Sequence, residues 1–207
     1  SICRVLRMIY IWVMSVRVVI PLFFMLLVNS VAGQSLGVDL LSKIHTMEPR
    51  RSDNFYKWTS HSVYPVSLGL PASMLIRGYS SNNEELIKAG WVQTGSLLLC
   101  TGLSQGLKIG IRRERPYKAH PGLFRAKLKT GPFSFPSGHS ATAFASATSL
   151  CLAYPRWYVI APSMLWAGTV AWSRMHLGVH YAGDVLGGLV IGVGSSLIMW
   201  GIGKATD

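Results

Sequence analysis

Residues 182–203, AGDVLGGLVIGVGSSLIMWGIG, hold the reading on which the fold turns. The stretch has a single charged residue, Asp184, and is studded with glycine at 183, 187, 188, 192 and 194. In a soluble helix each glycine costs up to about 1 kcal/mol against alanine. Inside a bilayer the same spacing is useful, because Gly183-x3-Gly187 and Gly188-x3-Gly192 are small-residue faces that let helices approach closely. Roughly 20 residues at 1.5 Å each cover a 30 Å hydrocarbon layer. The segment therefore predicts a membrane-spanning helix.

Working towards the N-terminus, further spans are expected at 61–79, 86–107, 138–154 and 157–173. The first apolar run, 8–32, is long enough to cross and is interrupted by Arg17. It also reads as a signal peptide, with Arg17 as a short positive start, Val18–Val28 as the apolar stretch and Ser30-Val31-Ala32 before the cleavage point. Both readings stand, so the chain is expected to be an all-α integral membrane bundle of about six transmembrane helices, or five after cleavage. Residues 1–33 form the signal peptide or first span, 34–60 an extracytoplasmic amphipathic segment, and 61–203 the main helical domain. Within 34–60, Val38, Leu41 and Ile44 recur at helical spacing and predict a short helix lying on the bilayer surface.

Composition agrees. Of 207 residues, half are apolar and 14% charged, against about a quarter in an ordinary soluble domain. Mean hydropathy is +0.35. Seven Trp, eight Tyr and seven Phe argue against a disordered basic tail. Cys3, Cys100 and Cys151 lack metal-ligand spacing, and a structural disulfide is not expected. Yet the formal charge is +12.

That charge is concentrated. Between Lys108 and Lys129 lie eight basic residues and one acid, Glu114. Nucleic acid is a poor partner, because no soluble domain presents the patch. Phosphate fits better. Lys108 and Arg115 flank a predicted helix end, and Pro116 stiffens the exit. In Pro136-Ser137-Gly138-His139, Ser137 is a candidate N-cap, so Gly138 and His139 occupy a first helical turn whose free amides attract anions. Downstream, Ser173-Arg174 offers a guanidinium fork. His180 and Asp184, four apart, share a helix face, and a carboxylate on one ring nitrogen leaves the other free to attack. Each element alone is weak. Their place at successive span ends points to one site.

These residues resemble the signatures of type 2 phosphatidic acid phosphatases (PAP2), a family related to bacterial acid phosphatases and vanadium haloperoxidases. Lys-x6-Arg-Pro is Lys108 to Pro116, Pro-Ser-Gly-His is Pro136 to His139, and Ser-Arg-x5-His-x3-Asp runs from Ser173 to Asp184. The resemblance implies His180 as the nucleophile forming a phosphohistidine, Asp184 as its orienting group, and His139 as the acid that protonates the leaving alcohol. It assigns Lys108, Arg115, Ser137, Gly138 and Arg174 to the phosphate oxygens. No cofactor or metal is implied, and no paired carboxylates or histidine cluster suggest one. The resemblance implies a phosphorylated membrane lipid as partner: lipid A, phosphatidylglycerophosphate, phosphatidic acid or undecaprenyl diphosphate. A lipid phosphotransferase and a non-enzymatic membrane protein are the alternatives. Oligomeric state stays open. His120, His176, Tyr117 and Lys118 read as loop residues or substrate contacts. The family layout puts the site on the periplasmic face of a bacterial inner membrane, whereas the positive-inside rule argues for the opposite face.

Overall fold

A computed structural model of the chain describes residues 34–47, 52–128 and 130–205. The expected signal peptide or first span lies outside the described residues, as do Cys3, residues 48–51 and Lys129. The described residues form helices and no strand, in line with an all-α fold. In chain order these are α1 (Gln34–Met47), α2 (Asp53–His61), α3 (Val63–Ser80), α4 (Glu84–Ile111), α5 (Pro116–Ala119), α6 (Gly138–Ala153), α7 (Trp157–His176) and α8 (Ala182–Ala205).

Local chemistry sets the boundaries. Asn83 caps α4 by accepting the Leu86 amide at 3.0 Å, with Glu84 and Glu85 in the positive first turn. Helix α7 ends in a Schellman turn, in which the Gly178 amide donates to Met175 O and the Val179 amide to Arg174 O. Gly178 has φ +69°, which suits glycine, and a Cβ there would meet Arg125 O at 3.0 Å. The expected span at 61–79 begins after a break at Ser62, whose hydroxyl donates to Thr59 O and accepts from Trp166 Nε1.

Helix α6 is the centre of the bundle and packs against α3, α4, α7 and α8. Its Ala143, Phe144 and Ala147 meet Ala167, Val170 and Ala171 of α7 and Val185 of α8. Small residues shorten the interaxial distance, and hydroxyls bridge the gap, Ser146 to Ser67 at 2.8 Å and Ser149 to Ser196 at 3.0 Å. The glycine faces read from the sequence sit at the closest approaches. A Cβ on Gly188 would lie 2.6 Å from Ser137 O, and one on Gly192 2.8 Å from Ala145 N.

Among the described residues one helix, α8, is long and apolar enough to cross a membrane by length and composition. For two of the other expected spans the shortfall has a visible cause. Helix α6 has 16 residues, about 24 Å, and α4 buries Gln93, Ser96 and Ser104. Helix α1 also departs from expectation. Its stripe Val38, Leu41 and Ile44 does not face outward: Leu41 and Ile44 are buried, and Leu41 and Val38 pack with Phe124 and Tyr181.

Replacing Gly188 by alanine is expected to lower the thermal midpoint, since overpacking a tight contact costs about 1–3 kcal/mol. Gly194→Ala meets nothing within 4 Å and should be neutral or stabilising by up to about 1 kcal/mol. Paired melting curves in detergent check the contrast.

Candidate active site

The loops at one end of the bundle converge on Asp184, a fully buried carboxylate in the first turn of α8. Its Oδ1 accepts from Arg113 Nη1 at 2.9 Å. Its Oδ2 accepts from Ser134 Oγ at 2.5 Å and from the Tyr181 amide at 2.9 Å, the latter being the backward half of a capping box. The Asp184 carbonyl in turn accepts the Ser137 amide at 2.9 Å. One residue thus joins the loop after α4, the turn before α6 and the turn before α8.

His180 lies between that carboxylate and the cavity. Arg115 Nη1 stands 3.2 Å from its Nε2. A guanidinium has no acceptor, so Nε2 must present its lone pair and Nδ1 must carry the proton. Nδ1 faces Ser134 Oγ at 3.5 Å and Asp184 Oδ2 at 3.6 Å. Burial pulls the imidazole down to about 3, Arg174 and Arg115 add to that effect, and Asp184 opposes it. The ring is therefore neutral, with its unprotonated Nε2 accepting from Arg115 on the cavity side, and an unprotonated nitrogen is the state a nucleophile needs.

Nε2 looks into a cavity of about 600 Å³ lined by Lys108, Arg115, Gly138, His139, Arg174 and His180, with His61 and Tyr64 opposite. Each cation is held from behind. Lys108 Nζ donates to Pro136 O at 2.6 Å. Arg115 donates through Nε to Gly131 O at 2.6 Å and through Nη1 to Val179 O at 2.8 Å. Arg174 Nη1 donates to Ser60 Oγ at 2.5 Å, while its buried Nε has no partner among the described residues. An unpaired guanidinium donor beside two more cations and the first-turn amides of α6 makes a site for a tetrahedral anion.

Six of the eight residues read from the sequence thus line one cavity. The other two stand behind it. Asp184 supports His180, and Ser137 is buried, its hydroxyl accepting from Ser140 Oγ at 2.9 Å and lying 3.5 Å from the Ser140 amide. Ser137 therefore acts as the cap of α6, with its side chain turned away from the cavity lining. His139 meets the Tyr64 ring edge-on at 5.2 Å.

The open readings of the loop residues also resolve into positions. His176 is buried away from the cavity, its Nε2 2.7 Å from Asp53 Oδ1, which also accepts from Lys127 Nζ at 2.6 Å. His120 packs edge-on to Phe124, and Tyr117 pairs with Thr130. Sequence reasoning missed Arg113, Ser134, Ser60, His61 and Tyr64. Arg113 is one of the unspecified positions inside the first signature stretch and Ser134 lies just before the second, but no spacing rule ties either to Asp184, 71 and 50 residues away.

The sequence profile of the PAP2 superfamily matches residues 89–206. A lipid A 4'-phosphatase of Bacteroides thetaiotaomicron is 46% identical over 63 residues, 30% of this chain and 28% of that protein. A lipid A 1-phosphatase of Rhizobium johnstonii is 30% identical over 127 residues, 56% of this chain and 50% of that protein. The chain thus spans half or less of the length of these curated relatives. The transmembrane PAP2-type phosphatidylglycerolphosphate phosphatase of Bacillus subtilis superposes with a TM-score of 0.72 at 22% identity, over 91% of this chain and 97% of that one.

A His180 held neutral makes stability pH-dependent. As pH falls below the ordinary histidine value of 6.5, the unfolded chain takes up this proton first, so stability is full above about 6.5 and is lost towards about 3. Melting curves between pH 7 and 4 should show a falling midpoint, with a shallower fall in His180→Gln.

Proposed function

The chain belongs to the PAP2 superfamily, and from that premise we propose that it is a membrane lipid phosphatase working through a phosphohistidine. The observation that carries the proposal is the His180 Nε2 lone pair facing the cationic cavity. The lipid phosphate sits among Lys108, Arg115, Arg174 and the Gly138 and His139 amides, which stabilise charge on its equatorial oxygens. Nε2 attacks phosphorus, a P–N bond forms, and the bond to the leaving oxygen breaks as His139 protonates it. Water then attacks phosphorus, His139 takes its proton, and His180 leaves with its lone pair restored. Asp184 offsets the positive charge of the phosphorylated ring.

Exposed aromatic residues support a bilayer setting. At the site end stand Trp58, Tyr64 and Trp172, and at the far end Tyr79, Trp91 and Trp157. Tyr64 and Tyr79 on α3, like Trp157 and Trp172 on α7, are 15 residues apart, about 22 Å of helix. Between them Leu68, Ile76, Leu98 and Leu165 are exposed. Two aromatic belts around an apolar band are what interfaces favour, and the cavity then opens at headgroup level. The substrate is a phosphate-bearing lipid of the cytoplasmic membrane. Lipid A is favoured by the relatives above, and phosphatidylglycerophosphate, phosphatidic acid and undecaprenyl diphosphate are the others in the class.

Phosphate release from these four lipids by purified protein, with products identified by mass, tests the activity. His180→Ala should abolish release, and His139→Asn should lower kcat about 10²–10⁴-fold. Release by His180→Ala at the wild-type rate would overturn the mechanism, and phosphate appearing on an added lipid would make the protein a transferase. For topology, Ala126→Cys in a cysteine-free background should react with an impermeant thiol reagent in spheroplasts. Reaction only after lysis would place the site on the cytoplasmic face.

A further inference from the structure

Two side chains outside the signature positions hold the buried carboxylate. Arg113 reaches Asp184 Oδ1 at 2.9 Å, is itself only 14% exposed, and lies with its guanidinium carbon 4.4 Å from the centre of the Tyr181 ring. Ser134 donates to Oδ2 at 2.5 Å. The 3.6 Å between His180 Nδ1 and Oδ2 is too long for a direct hydrogen bond. The Nδ1 proton instead faces Ser134 Oγ at 3.5 Å, whose own proton is committed to Asp184.

We infer that Arg113 is a positioning residue that neutralises Asp184, so that His180 stays uncharged with Nε2 unprotonated, and that Ser134 links the Nδ1 proton to the carboxylate. The inference rests on the reading of His180 as nucleophile. Its physical core is a balance of charges. Facing His180 are Arg115 at Nε2, Arg174 across the cavity and Asp184 behind. Lys108 and His139 line the same cavity, and Tyr181 adjoins Arg113. Every cation in that set favours the neutral ring, and only Asp184 favours a protonated one. A protonated ring has no lone pair and cannot attack. The nucleophile thus needs Asp184 near enough to offset the charge it gains on phosphorylation, yet not so unpaired that it draws a proton beforehand. Arg113 meets both needs. Its ion pair tempers the carboxylate, and its stacking on Tyr181 fixes the residue next to the nucleophile.

The test uses the full chain in detergent, labelled with ¹⁵N-histidine, with the His180 signals identified by their loss in His180→Gln. Between pH 3 and 8 the wild-type ring should remain the Nδ1–H neutral form down to the acid end. In Arg113→Gln the protonation step should move up by about one unit, and Arg113→Lys, which keeps the charge, should hold the wild-type position. Ser134→Ala should shift the tautomer ratio away from Nδ1–H. In turnover, Arg113→Gln should lower kcat about tenfold with KM little changed, the pattern of a lost transition-state interaction. An Arg113→Gln titration that overlays the wild type overturns the inference, whatever the activity. If Arg113→Gln does not fold, Arg113→Lys and Ser134→Ala decide it, because a wild-type tautomer ratio in Ser134→Ala removes the link. The titration needs no turnover. Absence of phosphate release by the wild-type protein would therefore defeat the proposed function while leaving the charge balance measurable.

Discussion

The structure depends on a carboxylate taken out of water. Burying an ion without partners costs several kcal/mol, so Asp184 can stay charged at the base of α8 only if donors surround it. They come from three separate places: Arg113 after α4, Ser134 before α6, and the Tyr181 amide before α8. Each donor fixes the segment that carries it. The ion pair that satisfies the charge is therefore also the tie that brings three loops to one point.

The apolar part of the fold makes that convergence possible. Gly188 and Gly192 let α8 lie against the start of α6 with no side chain between them. The Ser137 amide can then reach the Asp184 carbonyl, and the first turn of α6 is aimed at the cavity. A bundle held apart by larger side chains would leave the α6 amides and His180 too far apart to share a phosphate. The close approach that packs the bundle also brings the cavity-lining residues together.

A second tie closes the site from outside. Asp53 on α2 accepts from Lys127 of the basic loop and pairs with His176 at the end of α7. His45 of α1 lies with its Nδ1 3.0 Å from the His176 carbonyl, and Arg174 two residues earlier donates to Ser60 of α2. The segment before the bundle thus holds the cavity-lining Arg174 in place. In the basic loop Arg113 and Lys127 pair with Asp184 and Asp53, and among the described residues Lys108, Arg115 and Arg174 are the Lys and Arg side chains that line the cavity.

The sequence by itself determined the class of fold and picked out the residues that line the candidate site. Glycine spacing, apolar runs and the charge gathered at 108–129 are local properties of the chain, as are the N-cap at Ser137 and the four-residue step from His180 to Asp184. Those features could be read because each depends on neighbours along one helix or loop. What lay beyond them was decided by contacts between segments far apart in the chain. The inward turn of α1 depends on Phe124 and Tyr181, and the pairing of His176 depends on Asp53. The tautomer of His180 is the sharpest case. Spacing suggested a direct bond to Asp184, but the tertiary structure put Arg115 on one nitrogen and Ser134 near the other. Only the meeting of those four residues decides where the proton sits, because proton position follows the donors that surround the ring.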